Sequence, residues 1–276
     1  MSLSRPYDFI MDLNDAKQFW KIAVRITQIW YVQIPPKPGH LEMILIDSKV
    51  TQNFISSVNL FEFIYLLKHF ISYLKGDKIQ VSVRKDEFNQ WSQCFLENNT
   101  YVMHNFNVMR NDLQYKACDH VYRMQFTPGT TLKQREFPDI PELEYDFKKF
   151  SDILFGNFRS DLLIEVIGVF DKLIFSQTQS NLKKVIFTIK DFWYFLFLFQ
   201  FLKLGDVISC TLWETHAMNF FNYFNNQPIV QPLIILLTNA RVKEGQGDVN
   251  NTSCRVLDVI YYVKLHDDSI YFHCFF

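Results

Sequence analysis

Two stretches of this chain repeat the same order of strand-like segments, and this repeat limits its possible folds more than any other feature. In each copy, a long strand candidate precedes two shorter ones, and a helix-like segment then precedes two more strands. The pair Gly76-Asp77 comes before the third strand of the first copy, and Gly205-Asp206 does so in the second. Apolar residues then alternate in the same phase in both copies, which indicates an internal structural repeat.

The strand candidates of the first copy are residues 19–34, 41–47, 79–84, 101–108 and 121–126, and those of the second are 162–175, 183–190, 207–213, 233–242 and 252–257. Residues 86–96 and 214–224 have helical patterns between the third and fourth strands. Five strands with a short helix at this point follow the order of an OB fold. The sequence therefore predicts an all-β chain with two tandem five-stranded OB-fold barrels.

The repeat also predicts the domain boundaries. Residues 6–128 form the first barrel domain, and residues 150–257 form the second. Residues 129–149 contain Pro138, Pro141 and mixed charges, a composition typical of a linker. Residues 258–276 follow neither copy and are expected to be a tail without an assigned role.

Both copies carry an apolar insertion between the second and third strands, at about residues 50–75 and 192–203. Removing either insertion leaves a short turn that would join the two strands as a hairpin. One interpretation is that both are retained introns, because runs such as Phe192–Phe199 resemble translated T-rich sequence. The other is that the first is an amphipathic helix and the second an extension of the hairpin.

The composition favours a binding protein over an enzyme. The five cysteines are odd in number and have no Cys-x-x-Cys spacing, which favours a reducing compartment and free thiols. The seven histidines form no metal-binding or catalytic motif, so neither a cofactor nor a metal is expected. No apolar run reaches the about 18 residues of a membrane span. The net charge of −1 requires any nucleic-acid site to be a local groove.

Several dispersed motifs are spread over the two copies. In the first copy they are Trp20-Lys21-Ile22, Glu42-Met43-Ile44-Leu45 and Gly76-Asp77-Lys78, and in the second Phe150-Ser151-Asp152, Cys210-Thr211-Leu212-Trp213 and Ala240-Arg241-Val242-Lys243. Together they resemble plant-type replication protein A large-subunit-like proteins. The resemblance covers about residues 6–49, 76–191 and 204–256. It implies a nuclear protein that binds single-stranded DNA in replication, repair or recombination, with other replication protein A subunits as candidate partners.

An OB groove binds single strands by stacking bases on aromatic rings and by pairing phosphates with Lys or Arg. The resemblance places a stacking ring at Trp213, which strand alternation also directs away from the core. The matching residue of the first copy is Arg84, whose guanidinium can stack on a base and pair with a phosphate. Tyr115, followed by Lys116, matches a stacking aromatic near the hairpin of strands four and five.

Three further residues complete the predicted DNA-binding set. Trp30 ends the first strand, where it either borders the groove or packs into the core. Arg241 and Lys243 lie two residues apart on one strand face, a position suited to phosphate contacts. Gly245 stands where the second barrel of this family usually offers another aromatic. An OB-fold adaptor for other proteins and a degenerate copy with impaired DNA binding remain the alternatives, since the fold alone does not select a function.

Overall fold

The computed structural model describes residues 6–32, 36, 38–48, 76–85, 87, 95–142, 144–179, 183–191, 206–226, 233–244 and 255–259. The chain divides into two compact units, residues 1–144 and 145–276. Both insertions and the tail beyond residue 259 lie outside the described residues. Among the described residues, no helix combines the length and the apolar character needed to cross a membrane.

The first unit is built on one seven-stranded sheet. Its strands are β1 (Lys21–Val32), β2 (His40–Ile46), β3 (Lys78–Arg84), β4 (Thr100–His104), β5 (Asn107–Arg110), β6 (Tyr122–Gln125) and β7 (Thr131–Gln134). Their order in the sheet is β5-β6-β3-β2-β1-β4-β7. Only residues 105 and 106 separate β4 from β5, although the two strands pair at opposite sides of the sheet. The sheet must therefore curl round on itself, and β4 and β5 together take the place of the fourth strand of an OB barrel.

The break between β4 and β5 has a local cause. Asn105 adopts a left-handed conformation, with φ at 55°, and asparagine tolerates this region better than most residues. The hydroxyl of Thr130 donates a hydrogen bond to the backbone oxygen of Asn105 at 3.1 Å. The sequence pattern had predicted one continuous strand over residues 101–108.

The second unit contains a closed five-stranded barrel with the order β10-β12-β11-β8-β9. Its strands are β8 (Ile164–Gln177), β9 (Lys184–Asp191), β10 (Val207–Trp213), β11 (Ile234–Glu244) and β12 (Arg255–Val259). Pairing is antiparallel except between β10 and β12. This closed order and the alternation of buried residues are those of an OB fold. The predicted fold class, all-β with two tandem OB-type barrels, is confirmed.

The described part of the second unit contains the helices α1 (Phe150–Phe155) and α2 (Glu214–Asn226). Helix α2 follows β10 directly, as the sequence predicts, and buries Ala217 and Phe220 in the core. Phe220 stacks on Phe187 with ring centroids 4.6 Å apart, which couples the helix to β9. The helix predicted over residues 86–96 in the first unit lies mostly outside the described residues.

The segment predicted as a linker, residues 129–149, differs from that expectation. Strand β7 pairs with β4, and the compact first unit extends to Glu144. The buried guanidinium of Arg25 donates from Nη2 to the backbone oxygen of Ile140 at 2.7 Å. Ile140 itself is buried. The prolines and charges of this segment are typical of a linker. Strand β7 gives little signal in the sequence, because Leu132 is its one residue that packs against the core.

The carboxylate of Asp47 joins the start of the chain to the turn before β3. Its Oδ2 accepts a hydrogen bond from the backbone N–H of Ile10 at 2.6 Å, and its Oδ1 accepts one from Asp77 at 3.0 Å. Asp47 is buried, and this burial raises the pKa of its carboxyl while the two N–H bonds oppose the rise. One side chain therefore satisfies two backbone donors that are 67 residues apart, those of Ile10 and Asp77.

Replacing Asp47 with alanine should lower the free energy of unfolding by about 2 kcal/mol or more, because two backbone donors lose their acceptor. Chemical denaturation monitored by circular dichroism measures the change. The matched control is Asp15→Ala, which removes an exposed carboxylate from the same region. Equal free energies of unfolding for the two variants would show that the hydrogen bonds of Asp47 do not stabilise the first unit.

Candidate nucleic-acid interface

The outer face of β9 and β10 carries the strongest of the predicted binding residues. Val185, Phe187, Cys210 and Leu212 are buried in the core of the second barrel. Because successive side chains of a strand point to opposite faces, the residues between them face outward. The outward pairs across the two strands are Trp213 with Lys184, Thr211 with Ile186, Ser209 with Thr188 and Val207 with Lys190.

Trp213 lies at the end of β10 with its indole half-buried and outside the core cluster. The Nζ atom of its strand partner Lys184 lies 4.7 Å from the centroid of the ring. This cation–π contact holds a positive charge against one aromatic ring. Because the Nζ atom lies over one face of the ring, a base would stack on the opposite face while the ammonium pairs with a neighbouring phosphate.

Arg241 and Lys243 flank Val242, which is buried in the core. Their partners on β12 pair in turn with Thr211 and Ser209 of β10. Arg241 is therefore two strands from Thr211, and Lys243 is two strands from Ser209. The structure brings both cations to the outer surface that also carries the end of β10.

One acidic side chain modifies the charge of this surface. Asp171 accepts a hydrogen bond from the Nζ of Lys190 at 2.6 Å and another from the hydroxyl of Thr188 at 3.0 Å. The hydrogen bond from Lys190 is the main reason that the pKa of Asp171 lies below its usual value. Asp171 is thus ionised and neutralises Lys190, whereas Lys172 is exposed next to it in the chain.

In the first barrel, Arg84 ends β3 at the position that Trp213 has in β10, and it is exposed. Tyr115 and Lys116 are half-buried in the loop of residues 111–121 that joins β5 to β6. The next residue, Ala117, donates its N–H to the Oε1 atom of Gln80 on the outer face of β3 at 3.0 Å. This bond holds the loop, with Tyr115 and Lys116, against that face.

Arg84 and this loop contact separate parts of β3. Arg84 lies four positions after Gln80, which corresponds to about 13 Å along a strand. Cys118, in the same loop, is buried, and its burial raises the pKa of the thiol to about 12. The thiol is therefore neutral and acts as a packing residue.

A buried polar network covers the middle of the first barrel's outer face. Glu42 is only 6% exposed, and its carboxylate accepts a hydrogen bond from the Nε2 of Gln80. It also lies 3.0 Å from the Nε2 of His40 and 3.5 Å from the hydroxyl of Ser82. Arg123 donates from Nη1 to that hydroxyl at 3.0 Å. At the corresponding positions of the second barrel stand Ile186, which is half-buried, and Thr211, which is buried.

Trp30 pairs with Glu42 on the outer face of the same sheet. Its side chain is 8% exposed, and it is not part of the core cluster. The ring is therefore buried against the outer face of the sheet and does not border an open groove.

Lys184 and Phe175 also lie on this surface of the second barrel, although neither belongs to the predicted DNA-binding set. The position of Lys184 beside Trp213 can be predicted from the sequence by aligning the start of the second strand with the end of the third as antiparallel partners. Phe175 is 43% exposed and pairs with Ile186. Its outward position depends on irregularities in β8, which alternation alone does not reveal.

Comparison with known proteins supports the fold. Residues 61–156 match the model of a family described as a domain of unknown function, DUF223. This match covers about a third of the chain and begins inside the first insertion. No curated protein matches the chain in sequence.

Among the described residues, no group of three or more His, Cys, Asp or Glu side chains is placed to hold a metal ion.

Solved structures with the same fold include a replication protein A heterotrimer bound to single-stranded DNA, with 16% identity and a TM-score of 0.50. That match covers 90% of this chain and 48% of the other, so this chain spans about half the length of that relative. The likeness to fission yeast Pot1 with single-stranded DNA covers 98% of this chain and 87% of Pot1, with 10% identity and a TM-score of 0.32.

Removing the carboxylate at the centre of the first barrel's network should destabilise the protein. Glu42→Ala leaves the buried amide of Gln80 without its acceptor, so we expect a loss of about 2 kcal/mol in the free energy of unfolding. Urea denaturation measures the loss. Glu136→Ala, which removes an exposed carboxylate of the same unit, is the control and should change little. An unchanged midpoint for Glu42→Ala would contradict a structural role for the network.

Proposed function

We propose that this protein binds single-stranded DNA, without catalysis, on the outer faces of its two OB barrels. The observation that carries the proposal is the half-exposed indole of Trp213, with Lys184 at 4.7 Å and with Arg241 and Lys243 on the same barrel surface. An extended single strand offers flat bases and charged phosphates, and this combination of a ring and cations can bind both. The ring binds a base, and the cations bind the phosphates beside it.

The energies favour binding with little sequence preference. Stacking a base on an aromatic side chain contributes roughly 1–3 kcal/mol, and every base has an aromatic face. Contacts of Lys and Arg with phosphates add affinity that falls as salt rises, because each contact releases bound counterions. With a net charge of −1 for the whole chain, attraction of the strand depends on these local cations.

The first barrel has a different role in this proposal. The middle of its outer face is occupied by the buried network around Glu42, which leaves no exposed ring among the described residues there on which a base could stack. Arg84 at one end of β3 and Tyr115 with Lys116 in the loop near Gln80 are therefore the groups through which it contacts DNA. We infer that the first barrel adds contacts at its rim and that the second barrel provides the principal stacking site.

The fold and the sequence resemblance support the wider setting. A solved replication protein A heterotrimer bound to single-stranded DNA shares the fold, and the motifs around Trp213 resemble that family. On this basis we propose a nuclear protein that acts in DNA replication, repair or recombination. Other subunits of replication protein A are its candidate protein partners.

One observation favours a second candidate, an adaptor that binds another protein. Met11 and Val121 are 60% and 65% exposed, although both are apolar. The Nε2 atom of His120 lies 3.1 Å from the backbone oxygen of Ile10, so the segments that carry Met11 and Val121 are joined in space. Exposed apolar residues that cluster often mark a protein contact.

The DNA-binding proposal predicts different effects for stacking and phosphate residues. Trp213→Ala should weaken binding of a fluorescein-labelled oligo-dT by about tenfold or more, because the base loses its platform. Lys243→Ala should weaken binding less. It should also reduce the slope of log K against log salt concentration by about 0.7, which is the contribution of one phosphate contact on a single strand. Fluorescence anisotropy across a salt series measures both.

Either of two results would contradict this account. Wild-type protein that fails to bind oligo-dT at micromolar concentration would favour the adaptor or a degenerate copy. Equal losses for Trp213→Ala and Lys243→Ala, with equal salt dependence, would place the stacking platform elsewhere.

A further inference from the structure

Two β-bulges in β8 change which residues face outward on the second barrel. The register against β9 shifts between Phe170 and Lys172 and again between Leu173 and Phe175. Leu173 pairs with the core residue Phe187 and packs against the core. In a regular strand, Phe175 would face inward as well, since it lies two residues after Leu173.

The second bulge adds Ile174 as an extra residue and reverses this phase. Phe175 consequently pairs with Ile186, which lies between the core residues Val185 and Phe187 and therefore faces outward. Bulges often redirect a side chain at a functional surface. The phenyl ring of Phe175 is 43% exposed as a result.

The register places Phe175 near Trp213 on this surface. Phe175 lies in one cross-strand row with Ile186 and Thr211, and the adjacent row contains Lys184 and Trp213. The two aromatic residues are separated by two strand spacings and by two residues along the strands, which puts their Cα atoms about 12 Å apart. Strand β9 with Lys184 lies between them.

The charges beside Phe175 suit a polyanion. Lys172 is exposed and pairs with Thr188 in the next row of the same face. Lys184 lies between the two aromatic residues, so a cation is available on either side of the phenyl ring. Strands β8 and β9 thus combine an exposed ring with a positive charge on either side of it, as single-strand-binding surfaces do.

We propose that Phe175 is a second base-stacking platform of the second barrel, with Lys172 and Lys184 contacting the phosphates on either side of its base. This inference rests on the proposed binding of single-stranded DNA.

The test compares Phe175→Leu, Phe175→Tyr and Ile174→Ala with the wild type, using oligo-dT of graded length. Leucine keeps an apolar side chain of similar size but has no ring, so Phe175→Leu should weaken binding about five- to a hundredfold. Tyrosine keeps the ring and should bind within about threefold of the wild type. Ile174→Ala removes another exposed apolar side chain of the same bulge and should change affinity less than twofold.

The outcomes separate this inference from the proposed function. If the wild type binds oligo-dT and Phe175→Leu binds it with equal affinity, Phe175 is not a stacking platform, but the proposed function is unaffected. No binding by the wild type would reject the proposed function itself. Thermal melting of each variant shows whether it folds, and Phe175→Tyr serves as a second folded variant if Phe175→Leu does not fold. Selective loss in Phe175→Leu, with a larger loss for longer oligonucleotides, supports the second platform.

Discussion

The functional surface depends on the closure of a five-stranded barrel, which leaves each strand one inner and one outer face. The interior accepts only apolar side chains, and closure leaves little space even for those. A Cβ atom at Gly168 would lie 2.8 Å from the backbone oxygen of Lys190 and 2.9 Å from Cζ of Phe150, so β8, β9 and α1 meet where a side chain does not fit. All binding chemistry must therefore come from outward positions, and the register decides which of these are neighbours. For the proposed binding of DNA, the pairing of Trp213 with Lys184 is the consequence that matters most.

The two barrels share this plan but differ in what they present. On the second strand, the outward position that Ile186 holds in the second barrel belongs to Glu42 in the first. At the end of the third strand, Arg84 replaces Trp213. The first outer face consequently carries a buried hydrogen-bond network, whereas the second combines the half-exposed ring of Trp213 and the exposed ring of Phe175 with cations. Repetition of a fold has thus kept the core pattern while the outer faces have diverged, as is expected when function resides in surface residues.

The sequence could predict the strands and the place of Trp213, because both follow from alternation over regular segments. It could not predict Phe175, whose outward direction results from a bulge that inserts one residue and reverses the phase. The position of Trp30 could not be decided from the sequence, because the pattern along β1 allows both a groove edge and core packing; the structure buries the ring beside Glu42. Strand β7 was missed because it is a short strand in which only Leu132 packs inward. Local patterns determine the core faces, while tertiary contacts determine which outward residues remain accessible.

The central claim is that single-stranded DNA lies across the outer face of β9 and β10. Photo-crosslinking of the whole protein to an oligo-dT that carries 5-iodouracil tests it most directly, because such a base couples efficiently only to a side chain it touches. Mass spectrometry of the crosslinked peptides should locate the nucleotide on Trp213, with further crosslinks in β8. Crosslinks found only outside the outer faces of the two barrels, with none in β8 to β10, would contradict the account.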